Sequence, residues 1–232
     1  MRWYLLDLET GGLKPSDGVV EVGFFELDEG AQIIDRVESL IDPGTGAIAP
    51  SASGVHGITI DMVENSPTLE EFFSSDDPTC YGKPLQGDPP AIIGHKISFD
   101  VSFIKDQIEG TPLEICTLRW SRFLYPHSDS HTLSTLRYAL NLAPPSGVAH
   151  RVLYDVSLTY ELLLHIMERT SLTLPELTAR SQEPMLVAAV PFGKHKGQLY
   201  SEVPRSYLQW MQRELKDLDI DQTYTINYYL NK

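Results

Sequence analysis

The stretch LLDLET, residues 5–10, places two acids one residue apart in an otherwise apolar run. Short apolar runs of this kind are typical of a buried strand. Side chains at positions i and i+2 of a strand point to the same face, so Asp7 and Glu9 project their carboxylates side by side. Two anions held this close repel each other and lose hydration. The pair therefore predicts either a bound cation between the acids or a solvated strand face.

Strand patterns continue on both sides of a break at Gly30. GVVEVGFFELDEG (18–30) and AQIIDRVESLI (31–41) predict an antiparallel meander with the first strand. PAIIGH (90–95) and LEICT (113–117) are short buried strands that alternate with helical patterns. The expected fold class is therefore α/β, with a mixed sheet whose first three strands are antiparallel and which helices flank.

The segments between and after these strands predict one long loop and several helices. Residues 42–57 are dense in Gly, Pro and Ser and predict a loop. TIDMVEN and TLEEFFSS predict helices capped by Thr59 and Thr68. HTLSTLRYALNL (131–142) has the spacing of an amphipathic helix, and RVLYDVSLTYELLLHIMER (151–169) is the longest helical pattern.

The domain organisation follows from where this long helix ends. Residues 1–170 are expected to form the main domain and residues 171–190, which have no strong periodicity, a linker. Residues 191–232 are expected to form a small C-terminal module, with a glycine-punctuated turn and a helix introduced by Pro204. Residues 1–170 carry 11 basic and 25 acidic side chains, whereas residues 171–232 carry seven of each.

The net charge of −14 limits the classes of partner. An acidic surface repels phosphate, so broad DNA binding through a basic face is not expected, and cations must mediate any nucleic-acid contact. Cys80 and Cys116 lie far apart, which fits a reducing compartment and argues against a disulfide framework or a zinc ribbon. The absence of an apolar run of about 18 residues predicts a cytoplasmic protein without a membrane partner.

Two further segments carry acids next to predicted helices. Asp100 ends IIGHKISFD, at the start of a helix after a buried strand, where it could also be an ordinary N-terminal helix acid. HRVLYD places His150 just before the long helix and Asp155 inside it. A surface histidine and a salt-bridged helix acid would explain this second segment equally well.

Taken together, this ordered set resembles the histidine-bearing subgroup of the DEDD superfamily of 3′→5′ exonucleases. The likeness extends over residues 1 to about 170 and includes DLETGGL, VHGIT (55–59), GHKISFD (94–100) and AHRVLYDVSLTYELL (149–163). FGKHKGQLYSEVP with YLQW is similar to the C-terminal module of the bacterial exodeoxyribonuclease X group.

The resemblance implies a ribonuclease-H-like fold and a metal-dependent 3′→5′ exonuclease that acts on DNA ends and releases 5′ nucleotides. It implies two Mg²⁺ ions, with Mn²⁺ able to substitute. Asp7 would contact both ions, Glu9 and Asp155 the ion near the attacking water, and Asp100 the second ion. His150 would be the general base.

Substrate contacts are implied by the same resemblance. The backbone around Leu8 and Thr10, together with the segment that contains His56, Ile58 and Thr59, would cradle the terminal nucleotide and its 3′ hydroxyl. Leu13 lies in the loop after the first strand, where it either wedges against a terminal base pair or only anchors the loop. His56 could equally be a core or loop histidine.

Lys96 departs from the family pattern, which has asparagine at this position. Its ammonium group would either compete with a bound cation or bind a phosphate. An RNA-trimming exoribonuclease shares every chemical residue, and Lys96 with the acidic surface would also fit a non-catalytic nucleic-acid-binding domain.

Two other clusters have simpler explanations beside the functional one. In HSDSH, His127 and His131 have the spacing of metal ligands, but zinc sites need three or four ligands. The favoured interpretation is that Ser130 or Thr132 caps the following helix. The C-terminal module concentrates basic and aromatic residues that either contact DNA or form a solvated rim: Lys194, His195, Lys196, Arg205, Arg213, Tyr207 and Trp210.

Overall fold

A single five-stranded sheet organises the protein, which the computed structural model describes over residues 1–143 and 150–232. Its strands are β1 (Trp3–Thr10), β2 (Val19–Leu27), β3 (Ile33–Leu40), β4 (Ala91–Gly94) and β5 (Leu113–Cys116). The spatial order is β3-β2-β1-β4-β5, with antiparallel pairing among the first three strands and parallel pairing of β4 with β1 and β5. The predicted mixed sheet is confirmed.

Helices cover both faces of the sheet. They are α1 (Pro50–His56), α2 (Ile60–Val63), α3 (Leu69–Ser74), α4 (Ser98–Ile104), α5 (Thr117–Leu124), α6 (Leu133–Ala139), α7 (Val152–Thr170), α8 (Leu174–Ser181), α9 (Arg205–Glu214) and α10 (Ile220–Asn231). Thr68 caps α3 and Thr132 caps α6 through their side chains, whereas the Thr59 side chain makes no capping bond to α2. Within the described ranges, none of the helices is long and apolar enough to cross a membrane.

Side chains of the central strand β1 alternate between two apolar cores. Trp3 and Leu5 pack with the apolar residues of α7. Tyr4 and Leu6 pack on the other face with buried residues of α3 and α4. Because side chains alternate along a strand, the next odd-numbered residues of β1, Asp7 and Glu9, point to the face of the sheet that α7 covers.

The prediction that residues 42–57 form only a loop is wrong, because they contain α1. Pro50 occupies its first turn, where the missing N–H costs nothing. Gly57 ends the helix at a φ of 74°, with its N–H donating to the carbonyl of Ser53. The glycine and proline that indicate a loop are here the two ends of a short helix.

The stretch predicted as a linker, residues 171–190, contains α8 and packs against the main core. Leu174 and Leu177 are buried in the apolar cluster that also contains α7 residues. The indole N–H of Trp3 donates to Thr178 Oγ1 at 2.9 Å, and that of Trp120 donates to Ser181 Oγ at 2.8 Å. This segment is therefore held by tertiary contacts, and the division of the chain into units stays a prediction.

Candidate active site

Asp7 and Glu9 lie near the end of β1 on the face covered by α7. Asp7 is half-buried and pairs in register with Gly23 of β2, while Glu9 pairs with Glu21. The predicted side-by-side arrangement thus occurs on the central strand of the sheet, where both acids are half-buried.

A glycine on β2 lets the first turn of α7 approach these acids. A Cβ at Gly23 would lie 2.7 Å from Cγ2 of Val152, closer than real Cβ contacts allow. Because Gly23 lies directly across from Asp7, this approach brings the start of α7 next to the acid pair. Asp155, one turn into α7, is positioned by the same contact.

His150 and Asp155 contact each other just before and within α7. The backbone N–H of His150 donates to Asp155 Oδ2 at 3.0 Å, and His150 has a left-handed φ of 62°. Glu9, His150 and Asp155 each offer one ligand atom, and these atoms all lie within 4.8 Å of one another. The structure therefore brings together residues that are more than 140 positions apart.

Asp100 approaches the same place from the first turn of α4. It is only 4% exposed, and its Oδ1 accepts a hydrogen bond from the backbone N–H of Leu8 at 3.2 Å. This bond ties Asp100 to the strand between the two acids of β1. We call Asp7, Glu9, Asp100 and Asp155 the acid cluster.

The acid cluster is electrostatically unfavourable without a cation. Burial raises the pKa of Asp7 well above its usual range, and repulsion from Asp100 and Asp155 adds to it. Burial and then repulsion from Asp155 raise the pKa of Glu9 to about 8. Burial raises the pKa of Asp100 to about 7 and also raises the pKa of Asp155. Hard divalent cations prefer such carboxylate oxygens, so the donor set fits a divalent metal site.

A cleft of about 1170 Å³ opens at the acid cluster and contains all four of its members. His150, Leu13 and Tyr138 also line it. The side chain of Leu13 is 86% exposed and that of Tyr138 is 75% exposed, so both apolar groups face solvent inside a concave site. The cleft is slightly larger than typical small-ligand pockets, and it is open at the surface.

The predicted substrate contacts divide into two groups. Leu8 and Leu13 line the cleft, although the Leu8 side chain is 6% exposed and belongs to the core on the far face of β1. The others do not line it within the described ranges: Thr10, His56, Ile58 and Thr59. His56 is buried, and its Nδ1 accepts the N–H of Ile58 at 3.0 Å. Burial lowers the pKa of His56, which fits a neutral ring that shapes the loop.

Glu21 and Arg151 are two residues of the site that sequence reasoning missed. Glu21 is 2% exposed and lies opposite Glu9, yet it is neutralised by Arg151, which donates to it from Nε and Nη2. The backbone N–H of Val152 also donates to Glu21 at 3.3 Å. The predicted antiparallel pairing of β1 with β2 could have indicated Glu21, because this pairing puts Glu21 on the same face of the sheet as Glu9.

Lys96 has a left-handed backbone, with a φ of 70°. Asparagine adopts this conformation more readily than lysine does, which accounts physically for the asparagine of the family pattern. The Lys96 ammonium lies 5.6 Å from the centre of the Phe99 ring and lines the cleft. The positive charge of Lys96 lowers the pKa of Asp100 and so opposes part of the increase that burial causes.

The HSDSH segment serves the capping role favoured from sequence. Thr132 accepts the N–H of Thr135 at 3.3 Å, and His131 Nδ1 lies 3.1 Å from Ser121 Oγ. Among residues 1–143 and 150–232, the metal-compatible group that was found is Glu9 with His150 and Asp155, and it contains neither histidine of this segment.

Comparison with known proteins assigns the family. The family model described as exonuclease, of the RNase_T type, matches residues 5–163. The chain belongs to this exonuclease family. Exodeoxyribonuclease 10 of Escherichia coli K12 is 30% identical over 234 residues, which cover 97% of each chain. The PolC-type DNA polymerase III of Listeria monocytogenes is 32% identical over 162 residues, or 67% of this chain and 10% of the polymerase.

Solved structures of exonucleases share the fold. Exonuclease X in complex with 5′ overhanging duplex DNA superposes with a TM-score of 0.60 and 27% identity over 77% of this chain and 97% of that one. E. coli exonuclease I in complex with a dA16 oligonucleotide has a TM-score of 0.55 and 18% identity over 77% of this chain, a likeness in fold alone. These comparisons confirm the predicted family, the ribonuclease-H-like fold class and the assignment as an exonuclease, a family that depends on divalent metals.

A second family model matches the C-terminal part of the exonuclease. It is described as a putative quorum-sensing-regulated virulence factor and matches residues 182–215. This range begins in the stretch predicted as a linker and ends just after α9, so it crosses the predicted boundary at residue 191.

Proposed function

We propose that this exonuclease hydrolyses DNA from the 3′ end and releases 5′ nucleotides, with the acid cluster holding two divalent cations and His150 acting as general base. The observation that carries the proposal is the convergence of Glu9, His150 and Asp155, whose ligand atoms lie within 4.8 Å of one another beside Asp7. A buried group of acids with one adjacent histidine has the composition that metal-assisted phosphodiester hydrolysis requires.

The acid cluster would hold the cations through carboxylate oxygens from three remote parts of the chain. Asp7 would contact both ions, Glu9 and Asp155 one of them, and Asp100 the other. Mg²⁺ is the proposed ion, and Mn²⁺ is a substitute because it accepts the same oxygen ligands. When bound, two such ions lower the pKa of the attacking water and stabilise the leaving oxygen.

His150 would accept a proton from the attacking water. It lies at the solvent-exposed side of the acid cluster, and its backbone is fixed by the hydrogen bond to Asp155. Imidazole is the side chain that most readily exchanges protons at neutral pH. The histidine would take up the proton as the water attacks and release it to solvent through the open cleft.

DNA is the proposed substrate because the full-length relative is named an exodeoxyribonuclease and the first of the structural neighbours contains duplex DNA. Leu13, exposed in the cleft, is proposed to contact the terminal base. We place the protein in the cytoplasm, since Cys80 and Cys116 are free thiols.

The test uses matched DNA strands labelled at either the 3′ or the 5′ end and incubated with Mg²⁺, then with a chelator. We expect immediate release of the 3′ label and progressive shortening of the 5′-labelled strand, both abolished by the chelator. Shortening from the 5′ end would overturn the proposed direction. An RNA strand of the same sequence tests the exoribonuclease alternative, which faster degradation of RNA would favour.

A further inference from the structure

The cleft at the acid cluster continues onto the C-terminal part of the chain. Five residues of that part line it: Ala189, Val190, Pro191, Lys196 and Gly197. We call residues 189–197 the basic loop. We propose that the basic loop is a binding site for the phosphodiester backbone of the substrate strand, with Lys196 contacting a phosphate away from the scissile bond. This inference rests on the function proposed above.

The basic loop is closed at its base by backbone hydrogen bonds. Ala189 and Leu199 form an antiparallel bridge, and the N–H of Val190 donates to the carbonyl of Gln198 at 2.9 Å. The N–H of Gly197 donates back to Val190 at 2.8 Å. Val190 is 1% exposed and belongs to the core of the C-terminal part, so the loop is anchored rather than free.

The tip of the basic loop turns at two glycines and packs against α9. Gly193 and Gly197 have φ values of 72° and 82°, which L-residues with side chains rarely adopt. The His195 ring lies 4.4 Å from the ring of Tyr207 on α9, centre to centre. A loop ordered in this way loses little conformational entropy when it binds a ligand.

Ion pairs with α5 hold the C-terminal part against the main domain. Arg119 donates from Nε and Nη2 to the two carboxylate oxygens of Asp221, at 2.7 and 2.8 Å. Asp221 is 2% exposed, and Met185 N–H donates to it as well, at 2.7 Å. Arg122 donates to Asp219 at 3.0 Å. These contacts fix the position of the basic loop relative to the acid cluster.

Lys196 has a charge that is available to a ligand. It is exposed, and among the described residues no carboxylate lies within 4.0 Å of its ammonium group. Of the other cations of the cleft, Arg122 pairs with Asp219, Arg137 donates to the hydroxyl of Tyr154, and Lys96 lies over the Phe99 ring beside the acid cluster. A lysine ammonium on a flexible stem is a point charge suited to phosphate.

The acidic charge balance of the chain favours such a cation in the cleft. The net charge is −14, and five acids line the cleft: Asp129 and the four of the acid cluster, which bound cations would neutralise only near the scissile phosphate. Phosphates farther along the strand would meet a repulsive field unless a fixed positive group is present. Because a lysine contact to phosphate does not read the bases, it would add affinity without sequence preference.

Lys194 supplies a matched control for Lys196. Both lysines are exposed in the same loop, two residues apart, but only Lys196 lines the cleft. The variants are therefore Lys196→Ala, Lys194→Ala and the charge-conserving Lys196→Arg. Two substrates separate an effect on strand binding from an effect on the hydrolysis step. One is the p-nitrophenyl ester of thymidine 5′-monophosphate, which has no upstream phosphate. The other is a single strand of about 16 nucleotides.

We expect Lys196→Ala to raise the KM for the strand about 3- to 10-fold with kcat unchanged, and to reduce the slope of log affinity against log salt by about 0.7 to 1. The ester should be hydrolysed equally by all variants. Lys194→Ala should match the wild type, and Lys196→Arg should restore the strand KM.

Equal strand kinetics for Lys196→Ala and Lys194→Ala would overturn the inference, as would an equal loss on strand and ester. Strand binding measured by fluorescence anisotropy with Ca²⁺ in place of Mg²⁺ keeps the test independent of turnover. If the wild type hydrolyses neither substrate, the proposed function fails, while the anisotropy comparison of the two lysine variants still decides the role of Lys196.

Discussion

Arg151 donates from Nε to both carboxylate oxygens of Glu21 at 3.0 Å, across 130 positions of sequence. Arg151 is the N-cap residue of α7, and Glu21 lies on β2 opposite Glu9. The ion pair therefore connects the start of the helix that carries Asp155 to the strand beside the acid cluster. It also neutralises a carboxylate that would otherwise add to the repulsion around Glu9.

Replacing Arg151 by alanine is expected to leave the buried Glu21 without its ion-pair partner and with only the backbone N–H of Val152 as a donor. We expect the free energy of unfolding to fall by about 1–3 kcal/mol and kcat to fall as His150 and Asp155 lose their fixed position. Urea unfolding and steady-state kinetics measure the two effects. Arg180→Ala, which breaks an exposed pair with Glu183, should cost at most about 1 kcal/mol and leave kcat unchanged. Similar results for the two variants would contradict the positioning role.

Metal-free protein is expected to lose stability as the pH rises from about 4 to 8. The folded-state pKa values of Glu9 and Asp100 are raised to about 8 and about 7, so in this window the folded protein binds more protons than the unfolded chain. The free energy of unfolding then falls with rising pH. Thermal melts with a chelator should show a falling Tm, and saturating Mg²⁺ should flatten the curve. A chelated Tm that rises through this range would contradict the pKa shifts.

Asp7→Asn is expected to trade activity for stability. The substitution removes an acid whose pKa burial raises well above its usual range, so the metal-free Tm should rise, while the increase in Tm on adding Mg²⁺ should shrink and turnover should be lost. Differential scanning fluorimetry and the strand assay provide the readouts. Asp61→Asn, an exposed acid outside the cleft, is the matched control and should change neither.

His150→Ala is expected to lower kcat by about 10² to 10⁴ while Mg²⁺ binding is largely retained. Alanine keeps the Cβ, so the strain of the left-handed backbone is the same in both proteins. His127→Ala removes another exposed histidine of the same cleft and should leave kcat unchanged. Calorimetric titration with Mg²⁺ measures binding separately from turnover. Unchanged turnover in the first variant would remove His150 from the mechanism.

Lys96→Asn is expected to raise the free energy of unfolding by about 1 kcal/mol, because asparagine tolerates the left-handed backbone better than lysine. Loss of the ammonium near Asp100 should also lower the Mg²⁺ concentration needed for half-maximal activity. Urea unfolding and a Mg²⁺ titration of the strand assay test both effects. A rise in the strand KM, with no change in the Mg²⁺ requirement, would instead assign Lys96 to phosphate binding.

The sequence determined the elements whose signals are local. The period of two predicted that Asp7 and Glu9 share a face of β1, and the three antiparallel strands and the long helix α7 were predicted from periodicity. α1 was missed because its seven residues are too few to show helical periodicity, and its proline and glycine resemble loop signals. The order of the acids and His150 along the chain was enough to recognise the family.

Only the tertiary structure decided which distant residues meet. The contact of Val152 with Gly23, the neutralisation of Glu21 by Arg151, and the position of the basic loop in the cleft leave no periodic mark in the sequence. Periodicity reports the geometry of a single backbone segment. Contacts across more than 100 positions depend instead on strand order, on the fit of helix to sheet, and on where desolvated charges find partners, and these are properties of the folded chain as a whole.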